Sequence, residues 1–349
     1  MPALAPNHFP KPTPASPRAT DIEAVVAALR RPGAYPELTL AVEVVETHMS
    51  WLFKTDRHAF KLKKPMQTEY FDHTTIEARR RNSHTELDLN RRFAPDVYLG
   101  VLPITVDPIH GIRVDGRGEV IDWLVKMRRL DGERMLDRCI AQRTWSVQDI
   151  HTMASQLARY YLSTDHKPLE PAAYIAHLDN EIERASLALD RARPGIAPAL
   201  VHTTLNRLRA SLHRNRATLE VRIGERGLVD GHGDFRPEHI CLGPFPAVID
   251  CIEFDATLRL LDPLDDLGFL ALECERLGAT KAGDIVLSTY RSITQDDFPL
   301  ALLNFYQALR AVVRAKLAAL HLDEARYMNS EKWRNRATEY LYLAIRHLQ

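Results

Sequence analysis

The chain has 349 residues, enough to bury a core in two lobes or domains, and its 46 Lys and Arg balance its 46 Asp and Glu. The neutral balance argues against general binding to nucleic acids or anionic membranes, and the apolar runs are too short for a membrane span of ~20 residues. Four scattered cysteines form no Cys-x-x-Cys pair and the N-terminus has no apolar signal core, so we expect reduced thiols and a cytoplasmic location.

The first 130 residues indicate a small mixed lobe behind a proline-rich tail. Residues 1–20 contain few large apolar groups and are expected to be disordered. Between positions 21 and 130, β-rich segments separated by short turns predict consecutive antiparallel strands. Helices are expected at 21–30 and 74–93, and strands at 38–45, 49–54, 59–63, 98–106, 112–114 and 120–127.

Residues 131–349 indicate a larger, mostly helical lobe. Helices are expected at 146–163, 171–192, 198–220, 265–277, 280–293, 298–321 and 323–347. Two short apolar strands, 239–242 and 246–250, interrupt them. The expected fold class is therefore α+β, with a small antiparallel-sheet N-lobe and a large helical C-lobe.

An acidic motif accompanies these two short strands. His232-Gly233-Asp234 forms a tight turn, and Asp250 ends an apolar run. In phosphoryl transfer, one carboxylate orients and deprotonates the acceptor hydroxyl, and another holds Mg²⁺ against the nucleotide's phosphates. We assign the first role to Asp234 and the second to Asp250. The structural alternatives are an Asp234 that caps a backbone amide in a surface turn, and a helix cap or salt bridge at Asp250.

His239 follows Asp234 by five residues, at the spacing of a second metal ligand. Mg²⁺ prefers oxygen ligands, whereas imidazole suits softer metals. Three functional interpretations stay open: a poor metal ligand, a hydrogen-bond donor to phosphate, or the mark of a site that has lost turnover. A core histidine is the structural alternative.

Lysines cluster on the strand predicted at 59–63. Ala59, Lys61 and Lys63 share one face of it. A small residue two positions before a lysine matches the kinase pattern of an adenine contact followed by a phosphate-binding lysine. Lys61 is the favoured nucleotide ligand and Lys63 the alternative, while an exposed basic edge strand is the structural interpretation. Glu86, on the next helix, is the expected partner of the lysine; a solvated surface acid is its alternative.

Later residues are candidates for contacting the acceptor. Tyr306, Arg310 and Arg314 share one face of a predicted helix and would recognise an anionic or hydroxylated molecule. Glu253, three residues after Asp250, is a candidate for the metal or the substrate. An exposed cationic stripe and a structural ion pair are the respective alternatives.

Two blocks of sequence carry a resemblance to a known family. One runs from Val45-Glu46-Thr47-His48 through Ala59-Phe60-Lys61-Leu62-Lys63-Lys64-Pro65 to residues 90–100, and the other covers residues 232–254. They resemble the aminoglycoside phosphotransferase and choline kinase superfamily, distant relatives of protein kinases, and in particular an uncharacterised bacterial branch of it. The family's motif, His-Gly-Asp followed by four residues and Asn, has His239 in place of Asn here.

The resemblance implies a bilobal protein-kinase-like fold and a transfer of phosphate from ATP, or GTP, to the hydroxyl of a small molecule with Mg²⁺ as cofactor. It places the nucleotide between the lobes, under Thr47, His48 and Ser50 and beside Met127 in the hinge segment 126–130. A nucleotide-binding pseudokinase or regulatory module is the alternative, because His239 departs from the motif and the segment at 46–51 has no glycine. Some relatives carry a fused P-loop kinase-like domain; no Gly-x-x-x-x-Gly-Lys-Ser/Thr segment occurs here, so that domain is expected to be absent.

Overall fold

A six-stranded antiparallel sheet forms most of the first lobe. Its strands are β1 (Glu43–Glu46), β2 (Ser50–Lys54), β3 (His58–Lys63), β4 (Tyr98–Asp107), β5 (Gly111–Val114) and β6 (Glu119–Arg128). They pair in the order β1-β2-β3-β6-β4-β5. The computed structural model describes residues 21–68, 70–191, 193, 195–324 and 327–349, so the tail predicted at 1–20 lies outside the described residues.

Two helices accompany this sheet, α1 (Ile22–Leu29) and α2 (Ile76–Arg91). The buried face of α2 is mainly polar and includes Arg79, Glu86 and Asn90. Arg79 forms an ion pair of 2.8 Å with Asp122 of β6. Glu86 is thereby carried into the interior, where a carboxylate needs a cationic partner.

The second lobe consists mainly of helices: α3 (Leu136–Gln142), α4 (Val147–Ser163), α5 (Pro171–Leu189), α6 (Pro198–Arg226), α7 (Pro263–Arg276), α8 (Thr280–Thr294), α9 (Leu300–His321) and α10 (Glu331–His347). Between α6 and α7 lie four two-residue strands, β7 (Val229–Asp230), β8 (Ile240–Cys241), β9 (Ala247–Val248) and β10 (Leu260–Leu261). They form the ladders β7-β10 and β8-β9. These ladders hold the segment that contains Asp234 and Asp250 on the helical core. Within the described residues, no helix has the length and apolar character that a membrane span requires.

The expected fold class is confirmed, with several corrections to the predicted elements. β1 begins at Glu43 instead of residue 38, because its pairing with β2 starts with Glu43 opposite Lys54; Leu38 and Leu40 are 89% and 78% exposed. The strands predicted at 239–242 and 246–250 shrink to two residues each, because a one-turn helix and a turn take up their ends. The helix predicted at 198–220 is six residues longer, and the one at 323–347 starts at Glu331.

Candidate active site

The Asp234 loop (residues 231–239) is held by a buried carboxylate of α7. Asp266 is fully buried, and its oxygens accept hydrogen bonds from the amides of His232 (2.6 Å) and Gly233 (2.9 Å). A Cβ on Gly231 would collide with this carboxylate. Gly233 has a φ of +83°, which glycine adopts without strain. The backbone on the N-terminal side of Asp234 is therefore fixed by α7.

His232 joins this loop to the Asp250 loop (residues 249–254). Its Nε2–H donates to the carbonyl of Ile249 (2.9 Å), and its Nδ1 accepts from the amide of Asp234 (3.3 Å). Both contacts are satisfied by the neutral imidazole with its proton on Nε2. Burial lowers the pKa of His232 to about 4, so the ring stays neutral near pH 7.

We expect the free energy of unfolding to fall as the pH drops from 6.5 towards 4, partly because of His232. The unfolded imidazole takes up a proton near its ordinary pKa of ~6.5, while the folded one resists to about 4. The stabilisation is thus complete above the unfolded pKa and is lost as the pH falls through this interval. Urea unfolding across this range should give a shallower pH dependence for His232→Asn, whereas the exposed control His213→Asn on α6 should keep the wild-type slope. Equal slopes for all three proteins would contradict the assignment.

Asp234 is paired with an arginine that sequence reasoning missed. Nε and Nη2 of Arg236 lie 3.0 and 2.9 Å from Asp234 Oδ2, and Nη1 lies 3.2 Å from Glu238 Oε1. Burial acts to raise the pKa of Asp234, but the charge of Arg236 holds it well below its usual range. Asp234 is thus ionised at neutral pH, and its side chain is 27% exposed, so a ligand can reach it. The alternation of acid and base in the stretch from Asp234 to Glu238 was the available signal for Arg236.

His239 lies between the two acids and is buried. Its Nδ1–H donates to the carbonyl of Asp234 (2.8 Å), and its Nε2 accepts from Nη2 of Arg236 (2.9 Å). The same Nε2 is 3.5 Å from Asp250 Oδ2. The ring therefore faces the carboxylate predicted to hold metal. Its unprotonated nitrogen, Nε2, already accepts a hydrogen bond from the guanidinium of Arg236.

Lys61 connects β3, α2 and the Asp250 loop. Its Nζ lies 2.8 Å from Glu86 Oε1 and 2.6 Å from Asp250 Oδ1. Burial would raise the pKa of Asp250, but the charge of Lys61 holds it well below its usual range. Asp250 itself has a φ of 64° and donates its amide to the hydroxyl of Tyr98 at 3.1 Å. It lies in a turn two residues beyond β9.

Lys63, on the same strand face, also reaches Glu86. Its Nζ lies 2.5 Å from Glu86 Oε2 and 2.6 Å from Glu253 Oε1. Lys63 is 2% exposed and lies on a strand flanked by two others, so the basic edge strand does not describe it. Glu253 forms an ion pair here, which was the structural alternative to a metal or substrate contact. Its side chain is 8% exposed.

The end of α2 binds both loops. Asn90 Oδ1 accepts from the amide of Cys251 (2.9 Å). Arg92, just past the helix, donates to the carbonyls of Asp230 (2.9 Å) and Gly231 (3.1 Å). These contacts orient the lobes, and none of them was predicted from the sequence.

Ala59 and Met127 belong to an apolar cluster made by both lobes. They lie opposite each other on β3 and β6 and are 8% and 7% exposed. Partly buried or buried members from other segments are Leu52, Leu130, Met135, Cys241 and Ile249. β6 continues to Arg128, so the first three residues of the predicted hinge segment 126–130 still belong to the sheet. The cluster shares β3 with Lys61 and packs the first lobe against the second.

The β1–β2 turn closes on itself and on the second lobe. Thr47 Oγ1 makes hydrogen bonds of 3.0 Å with the carbonyl and the amide of Ser50, which is buried. The side chains predicted to meet phosphate therefore shape their own turn. His48 is exposed, and its ring centroid lies 6.0 Å from that of His321 at the end of α9.

Two of the three residues predicted on α9 to meet the acceptor serve the interior. Tyr306 is fully buried and donates to Asp262 (3.2 Å). Arg310 binds Asp265 at 2.6 and 2.7 Å and donates to the carbonyl of Gly233 (3.0 Å). These contacts make Arg310 a support of the Asp234 loop, and they leave Tyr306 no surface for an acceptor.

Arg314 is the third and remains accessible. Its side chain is 21% exposed, and its Nε contacts the Tyr340 hydroxyl at 3.4 Å and Glu273 at 4.0 Å. Its charge adds to that of Arg236 in lowering the pKa of Asp234 against the effect of burial. Arg314 is therefore the α9 residue best placed to meet a molecule bound near Asp234.

The acids suit a magnesium ion that is shared with a ligand. In the part of the chain that the structure describes, no three His, Cys, Asp or Glu side chains converge on one metal position. Mg²⁺ commonly binds one or two carboxylates together with waters and substrate phosphates. The ionised carboxylate of Asp250 is 46% exposed and fits such a role. His239 would have to give up its contact with Arg236 first.

Comparisons with known proteins place the fold. No family model matches the chain. Over 311 residues it is 29% identical to uncharacterized proteins of Mycobacterium tuberculosis and Mycobacterium bovis, an overlap of 88% of this chain and 60% of theirs. The chain thus spans 60% of the length of these curated relatives.

Similar solved structures are small-molecule kinases by their names. A choline kinase from Cryptosporidium parvum matches with a TM-score of 0.52 and 12% identity over 94% of this chain and 95% of that one. The apo form of a thermostable mutant aminoglycoside phosphotransferase gives 0.51 and 11% over 87% and 95%. A GDP complex of a mutant aminoglycoside 2'-phosphotransferase-IIIa gives 0.50 and 14% over 88% and 92%. The chain has the bilobal kinase-like fold of these proteins, as the resemblance implied.

Proposed function

We propose that this protein is an O-phosphotransferase that moves the terminal phosphate of ATP, or GTP, to a hydroxyl of a small molecule. The observation that carries the proposal is the bridge of Lys61 to Glu86 (2.8 Å) and Asp250 (2.6 Å), next to the loop that bears an ionised Asp234. Phosphoryl transfer requires this combination of a held lysine, a metal-binding acid and a hydroxyl-orienting acid. A fold shared with choline and aminoglycoside kinases supports it.

Each group has a distinct task in this proposal. Lys61, held by Glu86, contacts the nucleotide's phosphates, and the cluster around Ala59 and Met127 receives the base. Asp250, with His239 as a weaker second ligand, would hold Mg²⁺, which neutralises charge on the phosphates when bound.

Asp234 orients the acceptor hydroxyl and takes its proton. Because the pKa of Asp234 is far below neutrality, it acts mainly by position, as this reaction demands. Arg236 fixes the carboxylate by its two contacts at 3.0 and 2.9 Å, and Arg314 offers an anionic or hydroxylated acceptor a charge. The buried free thiols of the four cysteines suit a cytoplasmic enzyme.

The contact between Arg236 and His239 favours a second candidate, a nucleotide-binding pseudokinase. With Nε2 of His239 accepting from Arg236 at 2.9 Å, the second metal position has no ready ligand. Such a protein would bind nucleotide without turnover.

A screen of acceptors distinguishes the two functions. The protein is incubated with Mg²⁺ and ATP or GTP and with libraries of amino alcohols, aminoglycosides, sugars and hydroxy amino acids. Mass spectrometry then detects a phosphorylated acceptor, and calorimetry with ADP detects binding. A phosphorylated product that wild type forms and Asp234→Asn does not would establish the transferase. Binding without any product would favour the pseudokinase. A protein that neither binds nucleotide nor forms a product would contradict both functions.

We expect His239→Asn to preserve or raise Mg²⁺-dependent turnover, because an amide oxygen suits Mg²⁺ better than imidazole. His239→Ala should impair nucleotide binding, since it removes the ring between Asp234 and Asp250. Calorimetric titration with Mg-ADP and steady-state turnover measure both effects. If both variants behave as wild type does, His239 takes no part in the site.

A further inference from the structure

Five side chains form an unbroken row of alternating charge through the cleft. Asp250, Lys61, Glu86, Lys63 and Glu253 are joined by successive contacts of 2.6, 2.8, 2.5 and 2.6 Å. Exposure is uneven along the row. At its outer end the side chains of Asp250 and Lys61 are 46% and 16% exposed, whereas those of Glu86, Lys63 and Glu253 are 0%, 3% and 8% exposed.

Glu86 is shared between two lysines, one on each oxygen. Its Oε1 takes Lys61 and its Oε2 takes Lys63. One carboxylate cannot neutralise two buried ammonium groups, and an unpaired buried charge is strongly unfavourable. Asp250 meets Lys61 at one end of the row and Glu253 meets Lys63 at the other, so once Asp250 turns to a metal, Glu253 leaves Glu86 available to Lys61.

The two ends of the row come from the same loop. Asp250 and Glu253 are three residues apart, and each binds a different lysine of β3. The Asp250 loop is therefore fastened to the sheet by two bridges. Nucleotide binding must open the outer one, because Lys61 then meets phosphate and Asp250 meets metal. Nothing in the reaction requires the inner one to open.

We propose that Lys63 and Glu253 are a positioning pair, which keeps the Asp250 loop fastened to the sheet and Glu86 available to Lys61 while the outer bridge exchanges partners. The pair touches neither substrate nor metal and acts through Glu86 and Asp250. This inference rests on the proposed nucleotide site.

Glu253→Gln is the variant that tests the pair. Its amide can still accept a hydrogen bond from Lys63, and Lys63 keeps its ion pair with Glu86, so the fold should be retained. Glu86 is then the only carboxylate paired with Lys63. Its ion pair with Lys61 weakens as a result, and the ion pair of Lys61 with Asp250 becomes stronger. We expect Mg-ADP affinity in calorimetry to fall ~10-fold, with a higher Mg²⁺ concentration at half-saturation; that factor corresponds to ~1.4 kcal/mol.

Three further measurements separate positioning from general stability. Lys63→Arg keeps the charge and should bind Mg-ADP nearly as wild type does. Glu220→Gln, which removes an acid from the exposed pair with Arg216 on α6, is the control and should change nothing. Hydrogen exchange of residues 249–254 without nucleotide should rise in Glu253→Gln and not in the control. Should Glu253→Gln fold poorly, Glu253→Asp, which withdraws the carboxylate by one methylene, should show the same changes to a smaller extent.

The outcomes are distinguishable from those of the proposed function. Wild type that binds Mg-ADP, with Glu253 variants of equal affinity and Mg²⁺ dependence, overturns the positioning pair alone. Faster exchange of the loop with unchanged affinity does the same, since the pair would then be only structural. Wild type that binds no nucleotide at all overturns the proposed function and this inference with it.

Discussion

Replacing Asp234 by Asn is expected to lower phosphoryl transfer by ~10²–10⁴-fold, the usual contribution of a general base. Mg-nucleotide affinity should stay near the wild-type value, because the row from Asp250 to Glu86 does not include Asp234. Asn is nearly isosteric, and its amide oxygen can keep a hydrogen bond from Arg236, so the loop should hold its shape. The backbone contacts of Asp266 do not involve this side chain and support the same conclusion.

Single-turnover transfer to the acceptor found in the screen, together with ADP calorimetry, measures the two quantities separately. Asp179→Asn, which changes an exposed acid on α5, is the control for loss of one negative charge. Retention of more than about a tenth of wild-type transfer would remove Asp234 from the role of base. Loss of affinity together with transfer would indicate that the substitution disturbs the nucleotide site instead.

The partnership of a β3 lysine with Glu86 could be predicted because it follows from strand and helix spacing together with the kinase pattern. Alternation along β3 put Lys61 and Lys63 on one face, and the structure brings both to Glu86. The sequence did not indicate that the two lysines share this acid, since strand spacing says nothing about which oxygen each one meets. From the sequence, Lys61 and Lys63 were alternatives for one role as nucleotide ligand. In the structure they differ in burial and therefore in surroundings.

The contacts that orient the loops could not be predicted in the same way. Asp266 lies 34 and 33 positions from the amides it holds, and Asn90 lies 161 positions from that of Cys251. Such polar contacts have no periodic signature and depend on the completed fold. Helical spacing likewise grouped Arg310 with Arg314, but only the packing of α9 against α7 reveals that Asp265 engages the former.

The ends of short elements were the least predictable part of the site. Asp250 was expected at a strand end, yet β9 stops at Val248 and Asp250 adopts a φ of 64°. In a two-residue strand, side-chain alternation gives no signal, and the tertiary contacts of the turn decide the conformation. The left-handed turn and the hydrogen bond from the amide of Asp250 to Tyr98 accompany the contact of its carboxylate with Lys61.

Asp250→Asn is expected to remove most of the effect of Mg²⁺ on nucleotide affinity and to lower turnover. In the wild type, Asp250 holds Lys61 at 2.6 Å, and under the proposed function it exchanges this partner for metal when nucleotide binds. The neutral amide is a weaker ligand for Mg²⁺ and also a weaker partner for Lys61. Metal-free ADP should therefore bind the variant at least as well as it binds wild type, because Lys61 is released for phosphate.

The decisive quantity is the dissociation constant of ADP without Mg²⁺ divided by that with Mg²⁺, since this ratio cancels effects on the contacts of the base and on overall stability. We expect this ratio to shrink by at least ~10-fold in Asp250→Asn, equivalent to ~1.4 kcal/mol of lost coupling between metal and nucleotide. Lys61→Met is the complementary variant: it should weaken ADP binding in both conditions, because it removes the phosphate contact and leaves the metal ligand. A wild-type ratio in Asp250→Asn would place the metal elsewhere and would leave Asp250 as no more than a counter-ion for Lys61.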